Sequence, residues 1–280
     1  MQHFEDFVRH RKYLKNVTEK TLIWYQESFK ALKKHHPENT FTKASLQAFL
    51  IRLRETGVSP VTCNVRCRAI NAYLRWLHEE GHLDLLLRIP PLKCEQKVLP
   101  TLSVAQVKAI LAYRPILFSQ HRIYALLCLL LDTGLRVAEA LSLTRDKMDF
   151  DNMLITVKGK GEKHRVVPMS FALRKILFRW LEKHDSGLVF PTYDGQRQCQ
   201  RNVLRDMKKL GRRLGITGVR FSFHTLRHTF AVNYIRNGGD VFRLQRVLGH
   251  STLEMTRRYV NLQTEDLQAV HNKLSLLSAR

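Results

Sequence analysis

Acidic residues are scarce in this chain: 24 Asp and Glu stand against 47 Lys and Arg, a formal net charge of +23 over 280 residues. A compact fold with that imbalance repels itself, so a polyanionic partner is implied, either nucleic acid or an anionic membrane surface. Long apolar runs are missing as well. The longest, residues 123–131, stops at Arg122 and Asp132, far short of the about 20 residues that a membrane-spanning helix needs. The first residues, Met1 to Asp6, carry no basic-then-apolar leader pattern, which points to a cytoplasmic protein. Cysteine is sparse. Cys63, Cys67, Cys94, Cys128 and Cys199 form an odd, scattered set that suits a reducing compartment rather than a disulfide framework. Cys63 and Cys67 stand four apart on a predicted helix, but no second ligand pair accompanies them, so buried or incidental thiols are a better reading than metal. There is no internal repeat, no low-complexity tract and no complete Gly-x-x-x-x-Gly-Lys-Ser/Thr phosphate loop.

What is present reads as two folded parts. Hydrophobic content is 44%, ordinary for a folded protein. Thr18 is placed to cap a helix in which Leu22, Tyr25, Phe29 and Leu32 recur as an amphipathic stripe, ending at Pro37 and Asn39. A second helix covers residues 42–54 and stops at Gly57. A third begins at Ser59-Pro60, with Val61, Val65, Ile70, Tyr73, Leu74 and Leu77 as its apolar side and Arg66, Arg68 and Arg75 on the other. Arg88-Ile89-Pro90-Pro91-Leu92-Lys93 breaks the periodicity through Pro100, so a linker with its boundary near residue 97 is expected. Beyond it, Ser103 caps a helix and residues 123–131 form a buried one. Residues 154–157 and 165–168 read as strands joined by the turn 159–162, and helices resume from residue 173.

Chemistry concentrates in three stretches. In Thr133-Gly134-Leu135-Arg136-Val137-Ala138-Glu139, an arginine follows a glycine break, with Glu139 at helical spacing as its partner; alone, this fits a structural ion pair equally well. In His224-Thr225-Leu226-Arg227-His228, His224 and Arg227 share a helix face. His224 and His228, four apart, also invite a zinc reading, yet Thr225 stands where a zinc peptidase places its glutamate and no third ligand is evident. In the third stretch, Leu248-Gly249-His250-Ser251 is followed by Arg257-Arg258-Tyr259. A lone tyrosine is usually a packing residue.

Together, Arg136, His224, Arg227, His250 and Tyr259, in this order and these contexts, resemble the tyrosine recombinase (phage integrase) family over the whole chain. The resemblance implies a mainly α fold with a small antiparallel β-sheet. It divides the chain into an N-terminal helical core-binding (SAM-like) domain over 1–90, a linker over 91–100 and a mixed α/β catalytic domain over 101–280, closing on DNA as a C-shaped clamp. It implies Tyr259 as nucleophile of a 3′-phosphotyrosyl intermediate and a lysine in a β-hairpin turn as general acid. Lys160 matches that place, with Lys158 and Lys163 as competitors and possible phosphate contacts. Arg66, Arg68 and Arg75 are candidate DNA contacts. No cofactor and no metal are implied.

These residue types suit the reaction. Attack on a phosphodiester adds negative charge to its oxygens, which preorganised cations and donors stabilise. Arg136 and Arg227 present planar forks, and His224 and His250 can donate further bonds. A tyrosine phenol, with a pKa near ~10, needs a base or local positive charge; His224 is the candidate base. In the C-terminal tail, Leu267, Val270, Leu274 and Leu277 form a stripe that must be buried. The resemblance implies that it docks on a neighbouring protomer in a tetrameric synapse on DNA with inverted half-sites, with an accessory protein or partner recombinase possible. With no room for an added N-terminal arm-binding domain, a simple bacterial Xer-like enzyme is expected. The alternatives are a type IB topoisomerase-like relaxing enzyme and a catalytically silent DNA-binding regulator.

Overall fold

Apolar residues recurring every three or four positions organise the first part of the chain into α1 (Phe4–Tyr13), α2 (Glu19–His35), α3 (Lys43–Glu55) and α4 (Pro60–Glu79). The computed structural model describes residues 3–36, 40–95, 100–159, 164–257, 259 and 271. The chain divides into two compact units, Met1–Lys97 and Val98–Arg280.

In the first unit, the α2 stripe Leu22, Tyr25, Phe29 and Leu32 is buried as expected. Thr18 occupies the cap position, but its side chain caps no backbone amide; its hydroxyl meets that of Thr21 at 3.0 Å instead. The expected stop at Pro37 and Asn39 lies outside the described residues. Thr42 and Ser45 close α3 with a reciprocal capping box, both bonds at 3.0 Å. Ser59 caps α4 by accepting from the Thr62 amide at 3.3 Å. The buried face of α4 is the expected one in its later turns and differs at its start. Ile70, Tyr73, Leu74 and Leu77 line the core together with Cys63 and Cys67, whereas Val61 is 59% exposed. Burial raises both thiol pKa values, that of Cys67 to about 11. The three arginines also divide. With 3.6 residues per turn, Arg68 and Arg75 fall within about 20° of each other, whereas Arg66 points about 160° away. Arg68 and Arg75 are accordingly exposed and Arg66 half-buried.

The predicted linker begins as part of this unit. Asn64 exchanges two bonds with the Leu92 backbone, at 2.8 and 2.7 Å, and Asn71 does the same with Ile89, at 2.9 and 2.8 Å. The prolines that break helical periodicity therefore leave an extended strap whose peptide groups are satisfied by α4 side chains.

The second unit contains α5 (Val104–Ala112), α6 (Phe118–Thr133), α7 (Val137–Leu141), β1 (Met148–Asp149), β2 (Leu154–Lys158), β3 (His164–Pro168), α8 (Phe171–Leu181), α9 (Gln200–Arg213), α10 (Phe223–Arg236), α11 (Val241–Leu248) and α12 (Glu254–Arg257). The three strands form one antiparallel sheet in the order β1-β2-β3, with Ile155 opposite Val167 and Val157 opposite Arg165. The fold class is the expected one: mainly helical with a small antiparallel sheet. The α6 helix is apolar on nearly every side because it is the centre of the core, packed by α8, α9 and α10. None of the described helices is long and apolar enough to cross a membrane.

Candidate active site

The buried α6 helix must stop abruptly to deliver Arg136. Gly134 does this in the left-handed region at φ 63°, and a Cβ there would run into Phe230 and Leu248. Arg136 then occupies the cap position of α7, its backbone amide donating to Glu139 Oε2 at 2.8 Å and its guanidinium to Glu139 Oε1 at 3.0 Å. The expected pair is therefore present, but it is half of a larger arrangement. Arg165, on β3, donates to both Glu139 oxygens at 2.9 Å and to the Val247 carbonyl at 2.9 Å. Glu139 is only 8% exposed. Burial alone would raise its pKa; the hydrogen bonds from Arg165 and the Arg136 amide, with both guanidinium charges, outweigh that and hold it below the ordinary glutamate value. One carboxylate thus ties α7 to the hairpin and aims the Arg136 side chain, whose Nη2 also reaches the Gly249 carbonyl at 3.3 Å.

The second set of residues comes from α10 and α11. Ser222 caps α10, accepting from the Thr225 amide at 3.2 Å, which places His224 in its first turn. Arg227, one turn on, is 6% exposed and donates to the carbonyls of Gly134 at 2.6 Å and Leu248 at 2.7 Å. Those two carbonyls belong to the turns that carry Arg136 and His250, so a single guanidinium sets the spacing of both. Burial, then the like charge of Arg136, lower the Arg227 pKa to about 10 against the pull of Tyr259 and Glu139. Arg227 still remains a cation at neutral pH. Gly249 ends α11 at φ 64°, and a Cβ there would sit 2.9 Å from the Arg165 guanidinium. His250 follows, its Nδ1 bonded to the buried Thr256 hydroxyl at 2.8 Å.

Tyr259 is also a packing residue. Its ring is 7% exposed and joins a small core with Ala231, Ile235, Leu244 and Leu248. Its hydroxyl, however, meets His228 Nδ1 at 3.0 Å, and the His250 ring lies parallel at a centroid distance of 6.2 Å. Arg136, Arg165, Arg243, Arg246 and His250 line a cleft of about 1320 Å³ together with Asp240, which pairs with Arg243 at 3.2 Å, so cations predominate on its wall.

The structure thus gathers Arg136, Glu139, Arg227, His250 and Tyr259 into one place. His224 is exposed on the same α10 surface, its ring 6.5 Å from that of His228. Lys158 is exposed at the end of β2. Lys160 and Lys163 lie outside the described residues, as do Leu267, Val270, Leu274 and Leu277. Arg66, Arg68 and Arg75 belong to the other unit. Two residues escaped sequence reasoning: Arg165, whose only signal was a charge inside a short strand, and His228, read only as half of an unconvincing zinc pair. Among the described residues no group of three or more His, Cys, Asp or Glu could hold a metal ion.

The model of the phage integrase family matches residues 100–266. Among curated relatives, tyrosine recombinase XerA of Thermococcus onnurineus (strain NA1) is 32% identical over 235 residues, covering 82% of this chain and 80% of the relative. Tyrosine recombinase XerD of Vibrio cholerae is 30% identical over 290 residues, covering 96% and 94%. Among solved structures, the Tn1549 transposon integrase in complex with circular intermediate DNA superposes with a TM-score of 0.78 at 20% identity, covering 98% of each chain. The XerH site-specific recombinase in its post-cleavage complex with palindromic difH substrate gives 0.76 at 19% identity, covering 96% of this chain and 83% of that one.

Proposed function

Since the chain belongs to the phage integrase family of tyrosine recombinases, enzymes that cleave and rejoin DNA, we propose that Tyr259 attacks a DNA phosphodiester to leave a 3′-phosphotyrosyl bond and a free 5′-hydroxyl. The observation that carries this reading is the placing of the Tyr259 hydroxyl beside the arginine and histidine cluster. Arg136 and Arg227 neutralise the charge that builds on the phosphate oxygens, and His224 and His250 donate to them. This array fills the role a divalent metal plays in many nucleases, so the cutting step is expected to need no metal. Lys160 protonates the departing 5′-oxygen. The phosphotyrosine keeps the energy of the phosphodiester, so a 5′-hydroxyl from another strand can reseal it without ATP.

Recombination requires paired sites. The apolar stripe Leu267, Val270, Leu274 and Leu277 supports docking between protomers of a tetramer on inverted half-sites in the cytoplasm. Fragments selected from random DNA for binding, placed in pairs on a plasmid, are expected to recombine, and deletion of 264–280 is expected to abolish this while sparing DNA binding. Equal relaxation of a plasmid lacking the site would instead indicate a topoisomerase-like enzyme.

The N-terminal unit contributes phosphate contacts through the exposed Arg68 and Arg75 face of α4. Replacing both by alanine is expected to flatten the slope of log affinity against log salt by about 1 to 2 units. Titrations at several salt concentrations measure this; an unchanged slope removes α4 from the interface.

A further inference from the structure

We propose that His228, not His224, takes the proton from Tyr259 when it attacks, an inference that rests on Tyr259 being the nucleophile. The geometry separates the two histidines. His228 Nδ1 stands 3.0 Å from the Tyr259 hydroxyl, with ring centroids 5.5 Å apart. A base must be within hydrogen-bond reach of the proton it takes, and His228 already is. His224 lies one turn earlier on α10 and is exposed, which leaves it the phosphate contact proposed above. The arrangement is held from both sides. The α10 backbone fixes His228 directly after the buried Arg227, and Tyr259 is fixed by its packing against Ala231 and Leu244 and by its amide bond to the Thr256 carbonyl at 3.0 Å.

With the neutral ring protonated on Nε2, the phenol donates to Nδ1. During attack the Oη–P bond forms and the P–O5′ bond breaks. The phenolic proton moves to His228 Nδ1, and the O5′ oxygen takes a proton from Lys160. Resealing runs both transfers backward, the His228 imidazolium returning its proton to the departing phenolate. The charge of Arg227, beside His228 on α10, favours the phenolate-like oxygen at that moment.

The test uses the full-length protein on a nicked suicide duplex carrying a site selected from random DNA, with single-turnover formation of the covalent adduct as the readout. His228→Gln and His228→Asn are each made with tyrosine or with the more acidic 3,5-difluorotyrosine at position 259, and DNA binding is measured alongside. Adduct formation is expected to fall about 100-fold in His228→Gln with binding retained. Difluorotyrosine is expected to restore at least about tenfold in that variant and to do far less in the wild type, because only the variant lacks a base. Two results overturn the proposal: a His228→Gln rate within about threefold of wild type, or the same difluorotyrosine factor in both proteins, which marks a residue that only packs. If His228→Gln fails to bind DNA, the His228→Asn variant decides by the same criteria. A wild-type protein that forms no adduct sinks the Tyr259 reading itself, an outcome distinct from failure of the His228 assignment alone.

Discussion

Lysine in place of Arg227 is expected to slow covalent adduct formation by at least about 100-fold while DNA affinity changes by no more than about threefold. The guanidinium is buried, so it is desolvated, and no carboxylate among the described residues bonds to it; it donates to the Gly134 and Leu248 carbonyls. Its lowered pKa records that imbalance. On the proposed reading, a phosphate arriving at the cluster would supply the missing anion, and the added charge of the transition state more than the ground state, which is the condition for raising rate rather than affinity alone. Lysine keeps the charge but not the planar fork. It cannot bridge two carbonyls and still meet phosphate oxygens, so the turns carrying Arg136 and His250 lose their common spacer. Affinity is spread over many phosphate contacts and should barely notice. Single-turnover cleavage of a nicked duplex measures the first effect and equilibrium binding the second. Cleavage within about threefold of wild type would show that Arg227 serves packing only.

Glu139→Gln is expected to cost about 3 kcal/mol of stability and most of the cleavage activity. Both carboxylate oxygens accept two bonds each, from Arg136 and Arg165. An amide turns one acceptor into a donor that faces a guanidinium N–H, and it leaves two cations without their counter-charge. The effect carries a pH signature. The folded-state pKa of Glu139 is lowered, so its stabilisation is fully present above the ordinary glutamate pKa and is lost as pH falls through the lowered value. The gap between wild type and Glu139→Gln should therefore be constant near neutrality and narrow in acid. Denaturant unfolding over a pH series measures it; parallel curves down to strongly acid pH would contradict the carboxylate's role.

Much of this was legible in the sequence because it is local. The α2 stripe, the Ser59 and Ser103 caps and the glycine that ends α6 depend on neighbours a few residues away, and Arg136, His224, Arg227, His250 and Tyr259 were legible only through the resemblance of the short motifs that carry them. What was not legible is long-range. Arg165 meets Glu139 across 26 positions and His228 meets Tyr259 across 31, and no periodicity encodes either. The first turns of the α4 face were misread because Cys63 and Cys67 behave as small apolar residues in a helix core and take the buried positions there, while Val61 is exposed. The two-residue strand β1 offers too little pattern to detect; the pairing of Met148 with Ile155 creates it. The strap after α4 depends on Asn64 and Asn71, polar residues that a helical stripe ignores.

The most direct measurement is to trap the reaction on a nicked duplex, digest the protein and locate the nucleotide by mass spectrometry. A 3′-phosphonucleotide on the peptide containing Tyr259, absent from a Tyr259→Phe protein that still binds the DNA, is the expected result. A covalent nucleotide on any other residue, or an adduct that persists in Tyr259→Phe, would contradict it.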